Sequence, residues 1–134
     1  MPEFEEGMSL PELIKVVSQE KINLYAEASR DFNPIHIDEE FAKKTPLGGT
    51  IAHGMMILAY ISQMMADTFG HNWFSGGNLD IRFKSPARPG DTITVSGEIQ
   101  RVEKIETQSL VRCAVGCYNQ RGEPVIIGEA TVRV

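Results

Sequence analysis

Between Gly54 and Phe69 the chain is apolar on nearly every side, with Met55, Met56, Ile57, Leu58, Ala59, Tyr60, Ile61, Met64, Met65 and Ala66 leaving no polar stripe for solvent. A helix that is greasy all round must be buried. Ser62, Gln63 and Asp67 interrupt the run well short of the ~20 apolar residues a bilayer crossing needs. The wrapping therefore has to come from the chain itself. With 134 residues and no repeat, low-complexity run or linker, that chain reads as one domain, 1–134.

The C-terminal half supplies the wrapping. Leu79, Ile81 and Phe83 alternate with Asp80, Arg82 and Lys84, and Ile93, Val95 and Ile99 alternate with Thr92, Thr94, Ser96 and Glu98. That period of two marks strands with one apolar and one wet face. Two further strands are expected over 107–119 and 124–134, joined across Gln120-Arg121-Gly122 as an antiparallel hairpin. The N-terminal third is helical and loop-rich. Leu13 to Val17 reads as a short first strand, and Ser18 as the cap of a helix whose stripe is Ile22, Tyr25, Ala26 and Ser29. Asn33-Pro34 ends that helix, because the residue before proline is pushed out of the helical region. A loop follows, and Asp38 caps a short helix through Lys44. His71-Asn72-Trp73 is expected as a polar loop after the buried helix. One long buried helix and four or five antiparallel strands imply an α+β layer, a curled sheet wrapped around a central helix, which is the outline of a hotdog fold.

Charge and cysteine content narrow the function classes. Thirteen Lys and Arg against 18 Asp and Glu give a formal charge of -5, which excludes a nucleic-acid module built on a basic face. The opening Met1-Pro2-Glu3-Phe4-Glu5-Glu6 is acidic and has no apolar core, unlike a secretory signal or a transit peptide, so a cytoplasmic location is expected. Cys113 and Cys117 on one strand would sit ~13 Å apart, too far for a disulfide, and read as buried thiols.

The chemistry concentrates in Asp31-Phe32-Asn33-Pro34-Ile35-His36 and, after a loop, Ala52-His53-Gly54-Met55. Asp31 and His36 would fall on different faces of a helix and meet only if Asn33-Pro34 reverses the chain. A carboxylate and an imidazole held together can bind a water, take a proton from it and return one to a substrate carbon. The plain alternative is that Asp31 only caps the loop and orients His36. Gly54 opens the buried helix, whose first N–H groups have no intrahelical partner and carry the positive dipole end. A thioester oxygen bound there would make C3 of a conjugated enoyl group electrophilic, with Gly54 N–H as the donor. The competing reading is that Gly54 merely relieves crowding. His53 reads as an ordinary packed histidine.

These residues resemble the MaoC-like, or hydratase 2, family of (R)-specific 2-enoyl-CoA hydratases. The family pattern Asp-x-Asn-Pro-x-His stands here as Asp31 to His36, Ala52-His53-Gly54-Met55 fits the downstream segment, and Arg82 to Asp91 is similar to the family's strand and Pro-Gly-Asp turn. The resemblance implies a hotdog fold, Asp31 and His36 activating water, Asn33 supporting their loop, Gly54 as oxyanion hole, and an (R)-3-hydroxyacyl thioester as product. It implies no metal or redox cofactor, with coenzyme A present only as part of the substrate, and a homodimer or higher assembly. A strand edge left open by one sheet wrapped on one helix points the same way. Arg30 departs from the family, which often has Gly before the catalytic Asp, and from this no positive φ is expected at Arg30.

Other signals are weaker. Arg82, Lys84 and Arg88 could meet coenzyme A phosphates, although a solvated strand face accounts equally for the first two. The methionines of the buried helix read as core filling, and Lys43 and Lys44 as charges suited to a helix end. His36-x-Asp38 with a later His echoes the facial triad of a non-haem iron oxygenase, but Asp38 is better used as a cap. A hotdog thioesterase and a non-catalytic acyl-thioester binder are the other functional readings.

Overall fold

The computed structural model describes residues 4–134, so that Met1, Pro2 and Glu3 of the acidic opening lie outside the described residues. Its five strands form one antiparallel sheet in the order β1-β3-β4-β5-β2, with β1 at Leu13–Val16, β2 at Asn78–Phe83, β3 at Thr92–Ile105, β4 at Gln108–Tyr118 and β5 at Pro124–Arg133. The sheet packs on the long helix α4, Gly54–Phe69, in an α+β hotdog arrangement. The helix meets β3, β4 and β5, the three inner strands. Ile57, Ile61, Met64 and Met65 of α4 are fully buried against Ile93, Val95, Ile99, Val111 and Ile126 of the sheet. The helix is not enclosed on every side as its apolar sequence suggested: Met55, Ala59, Gln63 and Asp67, one residue per turn, form an exposed stripe, while the buried residues pack on the sheet.

Shorter helices occupy the N-terminal third: α1 at Gln19–Ser29, α2 at Pro34–Ile37 and α3 at Glu39–Lys43. Ser18 caps α1 by accepting from Lys21 N, and Asp38 caps α3 by accepting from Phe41 N. Where a plain loop was expected after Asn33-Pro34, one turn of helix forms instead. Proline at the first helical position is preorganised for it, and Asn33 Oδ1 accepts from Ile35 N. A second correction lies beyond α4. His71-Asn72-Trp73 opens a short helix, α5 at His71–Gly76, and Trp73 is buried with its indole N–H donating to Ser62 Oγ at 2.9 Å. The indole body supplies apolar area and its N–H finds a partner, which a polar-loop reading overlooks.

β3 is longer than the alternation suggested and bends at a register shift between Ile99 and Arg101. Such a bulge lets the strand curl with the sheet. Cys113 and Cys117 lie on β4 as free, buried thiols, and burial pushes them up to about 11 and about 12 respectively. They are inert core residues at neutral pH. Among the described residues, no helix is long and apolar enough to cross a membrane.

Candidate active site

The first turn of α4 and the Arg30–His36 segment converge at one end of the sheet. α1 ends at Arg30, whose backbone is left-handed at φ 64° and ψ 21°. This corrects the expectation of no positive φ there. The helix needs a left-handed residue to turn the chain toward Asp31, and an arginine takes a conformation that glycine adopts more cheaply. Asp31 N then bonds Ser29 Oγ at 3.2 Å, and Asp31 Oδ1 accepts from Asn33 N at 3.3 Å. Asn33 is held in turn by its cap on α2, so the segment is braced by its own polar side chains.

His36 is brought to Asp31 by the turn of α2. Its Nδ1 lies 2.8 Å from the carbonyl oxygen of Ile51. A carbonyl only accepts, so Nδ1 carries the proton and Nε2 keeps its lone pair. This is the tautomer a general base requires. The backbone beneath is fixed as well: Gln19 Nε2 donates to His36 O at 2.7 Å, and Thr50 Oγ1 donates to Gln19 Oε1 at 2.6 Å. Thr50 N also bonds Glu39 Oε2 at 3.2 Å. None of Gln19, Glu39 or Thr50 stands out in the sequence, and Ile51 opens the His53-Gly54 segment without a role of its own. They act through long-range contacts and carry no local motif.

His53 is not an ordinary packed histidine. It is only 3% exposed, its ring stacks on that of His36 at 3.9 Å and 24°, and Tyr25 covers it at 4.9 Å. Its Nε2–H donates to the carbonyl oxygen of Asp31 at 2.9 Å, while its Nδ1 is buried without a partner among the described residues. Donor atoms of Asp31, His36 and His53 all lie within 4.8 Å of one another. The set carries the residue types of a metal triad, but the two rings stand nearly parallel, so their in-plane lone pairs run side by side instead of converging on an ion. Two hydrogen bonds of about 2.8 Å, by contrast, let one water span a carboxylate and an imidazole at this separation.

Gly54 is exposed, at the opening turn of α4. A Cβ there would meet the Phe83 ring at 2.8 Å, so a larger residue would have to displace that exposed ring. Gly54, Ile57, Phe83, Lys84 and Val125 line a cavity of about 290 Å³ whose walls are mostly apolar. The three suggested cations do not gather there. Lys84 lines this cavity, Arg82 lies on the opposite sheet face among Asp80 and Glu129, and Arg88 stands beyond Ala87 in the turn, where its backbone N–H donates to Asp91 Oδ2 at 2.9 Å.

Comparison with known proteins places this chain in a wider group. The family described as "MaoC like domain" matches residues 5–119. An (R)-specific enoyl-CoA hydratase of Rhodospirillum rubrum is 34% identical over 134 residues, spanning 98% of this chain and 89% of its own. A mitochondrial 3-hydroxyacyl-[acyl-carrier-protein] dehydratase of Arabidopsis thaliana is 33% identical, over 87% of this chain and 70% of its own. The unliganded R-hydratase of Pseudomonas aeruginosa superposes with a TM-score of 0.82 at 32% identity, covering 97% of this chain and 81% of that one.

Proposed function

The chain belongs to the MaoC-like domain family, and from that premise we propose that it hydrates trans-2-enoyl thioesters to (R)-3-hydroxyacyl thioesters, or runs the reverse dehydration. The observation that carries the reading is the meeting of Asp31 and His36 beside the first turn of α4. In the hydration direction, Asp31 and His36 hold one water. Its oxygen bonds to C3 of the enoyl group, one of its protons passes to His36 Nε2, and the pair returns one proton to C2. Negative charge builds on the thioester oxygen between those events, and Gly54 N–H, at the positive end of α4, is the donor assigned to it. Asn33 keeps the segment in shape through its bond to Ile35 N.

The reading needs no metal or redox cofactor, and coenzyme A enters only as part of the substrate. Lys84, on the Gly54 cavity, is the cation best situated for a coenzyme A phosphate. The two free buried thiols suit a reducing compartment such as the cytoplasm. A homodimer fits the surface, since β2 is an edge strand ending in the exposed Phe83, and Met55 and Phe74 are exposed as well.

The test is spectrophotometric. Purified protein given crotonyl-CoA should bleach the conjugated-enoyl absorbance and yield the (R)-3-hydroxy product without releasing free thiol. Failure across a panel of enoyl chain lengths would sink the hydratase reading, and thiol release would redirect it to hydrolysis. Sedimentation at micromolar concentration should give twice the mass of one chain.

A further inference from the structure

Three parts of the proposed machinery come from separate stretches of sequence: the Asp31 carboxylate, the His36 imidazole and the N-terminus of α4. His53 is tied to all three through their backbone or ring. It immediately precedes Gly54, its ring lies against His36 at 3.9 Å, and its Nε2–H holds the Asp31 carbonyl at 2.9 Å. We propose that His53 is the positioning residue that sets the acid/base pair in register with the oxyanion donor, by stacking on His36 and bonding the Asp31 backbone. The proposal rests on the hydratase reading for its kinetic consequence but not for its spectroscopic one.

Packing alone does not explain the choice of histidine. A residue needed only to fill this volume would be apolar, because a buried ring nitrogen without a partner is destabilising, and Nδ1 of His53 has none among the described residues. What histidine offers that Phe or Leu cannot is a donor on one edge of a flat ring. The carbonyl accepts only, so the Nε2–H tautomer is fixed, and His53 is the tautomeric opposite of His36, which carries its proton on Nδ1. The two rings lie face to face with their protons committed to carbonyls from different segments. The plane of the base is thereby clamped, while its Nε2 stays available for chemistry.

His53→Phe keeps a ring against His36 and removes the donor, whereas His53→Gln keeps an amide N–H near the position of Nε2 and removes the ring. In turnover of crotonyl-CoA, H53F should lower kcat about 10- to 100-fold with KM within about threefold, the signature of misplaced reacting groups rather than lost binding. H53Q should recover at least about fivefold of that loss, since it restores the bond to the Asp31 carbonyl. Independently of turnover, nitrogen NMR of histidine-labelled protein at pH 8.5 should assign His53 the Nε2–H tautomer and His36 the Nδ1–H tautomer. H53F with wild-type kcat, equal losses in H53F and H53Q, or a His53 Nδ1–H tautomer would each overturn the proposal. Should H53F fail to fold, H53Q and the tautomers decide. Should the wild type turn over no enoyl thioester, the hydratase reading falls and the tautomers still judge the role of His53.

Discussion

The middle of α4 and its first turn are only two helical turns apart, yet they are built by opposite rules. In the middle, Ile61, Met64 and Met65 have no exposure at all, and their neighbours are aliphatic side chains of the sheet. At the first turn Gly54 and Met55 are exposed, and the residues around them are histidines, an aspartate and backbone carbonyls joined by individual hydrogen bonds. The middle derives its strength from area and fit, which many apolar residues could supply. The first turn depends on tautomers and single donors, for which substitutes are few. One helix therefore carries stability at its centre and chemistry at its start, and mutations should separate the two.

The largest effect should come at the first-turn end. His36→Ala and Asp31→Asn are each expected to lower kcat about 10²- to 10⁴-fold, the range of a lost general acid or base. Their melting temperatures should stay near that of the wild type, because His36 lies outside the hydrophobic cluster and Asp31 is exposed. Either variant keeping near-normal turnover removes that residue from the mechanism. The converse experiment is Ile61→Ala, which should cost about 2–5 kcal/mol of stability while leaving kcat per folded molecule unchanged. A loss of kcat without a loss of stability at Ile61 would break the division between the two regions.

Gly54→Ala falls between these limits. A methyl group there meets Phe83 at 2.8 Å, and the ring is 54% exposed with room to swing outward. We expect a fall in kcat/KM of about tenfold with a stability change under about 1 kcal/mol, and recovery in Gly54→Ala/Phe83→Leu because the crowding partner is removed. No recovery in the double variant would show that the methyl group obstructs the substrate oxygen itself rather than displacing Phe83.

How legible these regions were in the sequence follows the same division. The core of α4 could be read directly because burial leaves a local pattern, and the strand alternation of 79–83 and 92–99 is of that kind. Asp31, Asn33, Pro34 and His36 were readable because they are close along the chain and proline constrains how they meet. The contacts of His53, Gln19, Thr50 and Ile51 were not. His53 reaches Asp31 across 22 positions and Gln19 reaches Thr50 across 31, and neither contact leaves a periodic trace. Trp73 was misread for a related reason: its partner Ser62 lies on another helix, so the sequence shows a polar neighbourhood where the fold makes a buried one.

Arg30 provides the finest test of how the first-turn end is built. Its left-handed backbone costs roughly 1–2 kcal/mol for a residue bearing a Cβ. Arg30→Gly removes that cost but gives the unfolded chain more freedom, an opposing effect of about 0.4–1 kcal/mol. The balance is a net stabilisation of about 0.5–1 kcal/mol, which for a domain of this size raises Tm by about 2–4 °C. Turnover should be unchanged within about twofold, because the turn that delivers Asp31 is the same turn in both proteins. Arg30→Val should move Tm the other way, since a β-branched residue tolerates this backbone least. A lower Tm in Arg30→Gly would mean that the arginine side chain contributes more to the loop than its backbone costs, and the strain at the head of the Asp31 segment would then belong to a contact of Arg30 rather than to the turn.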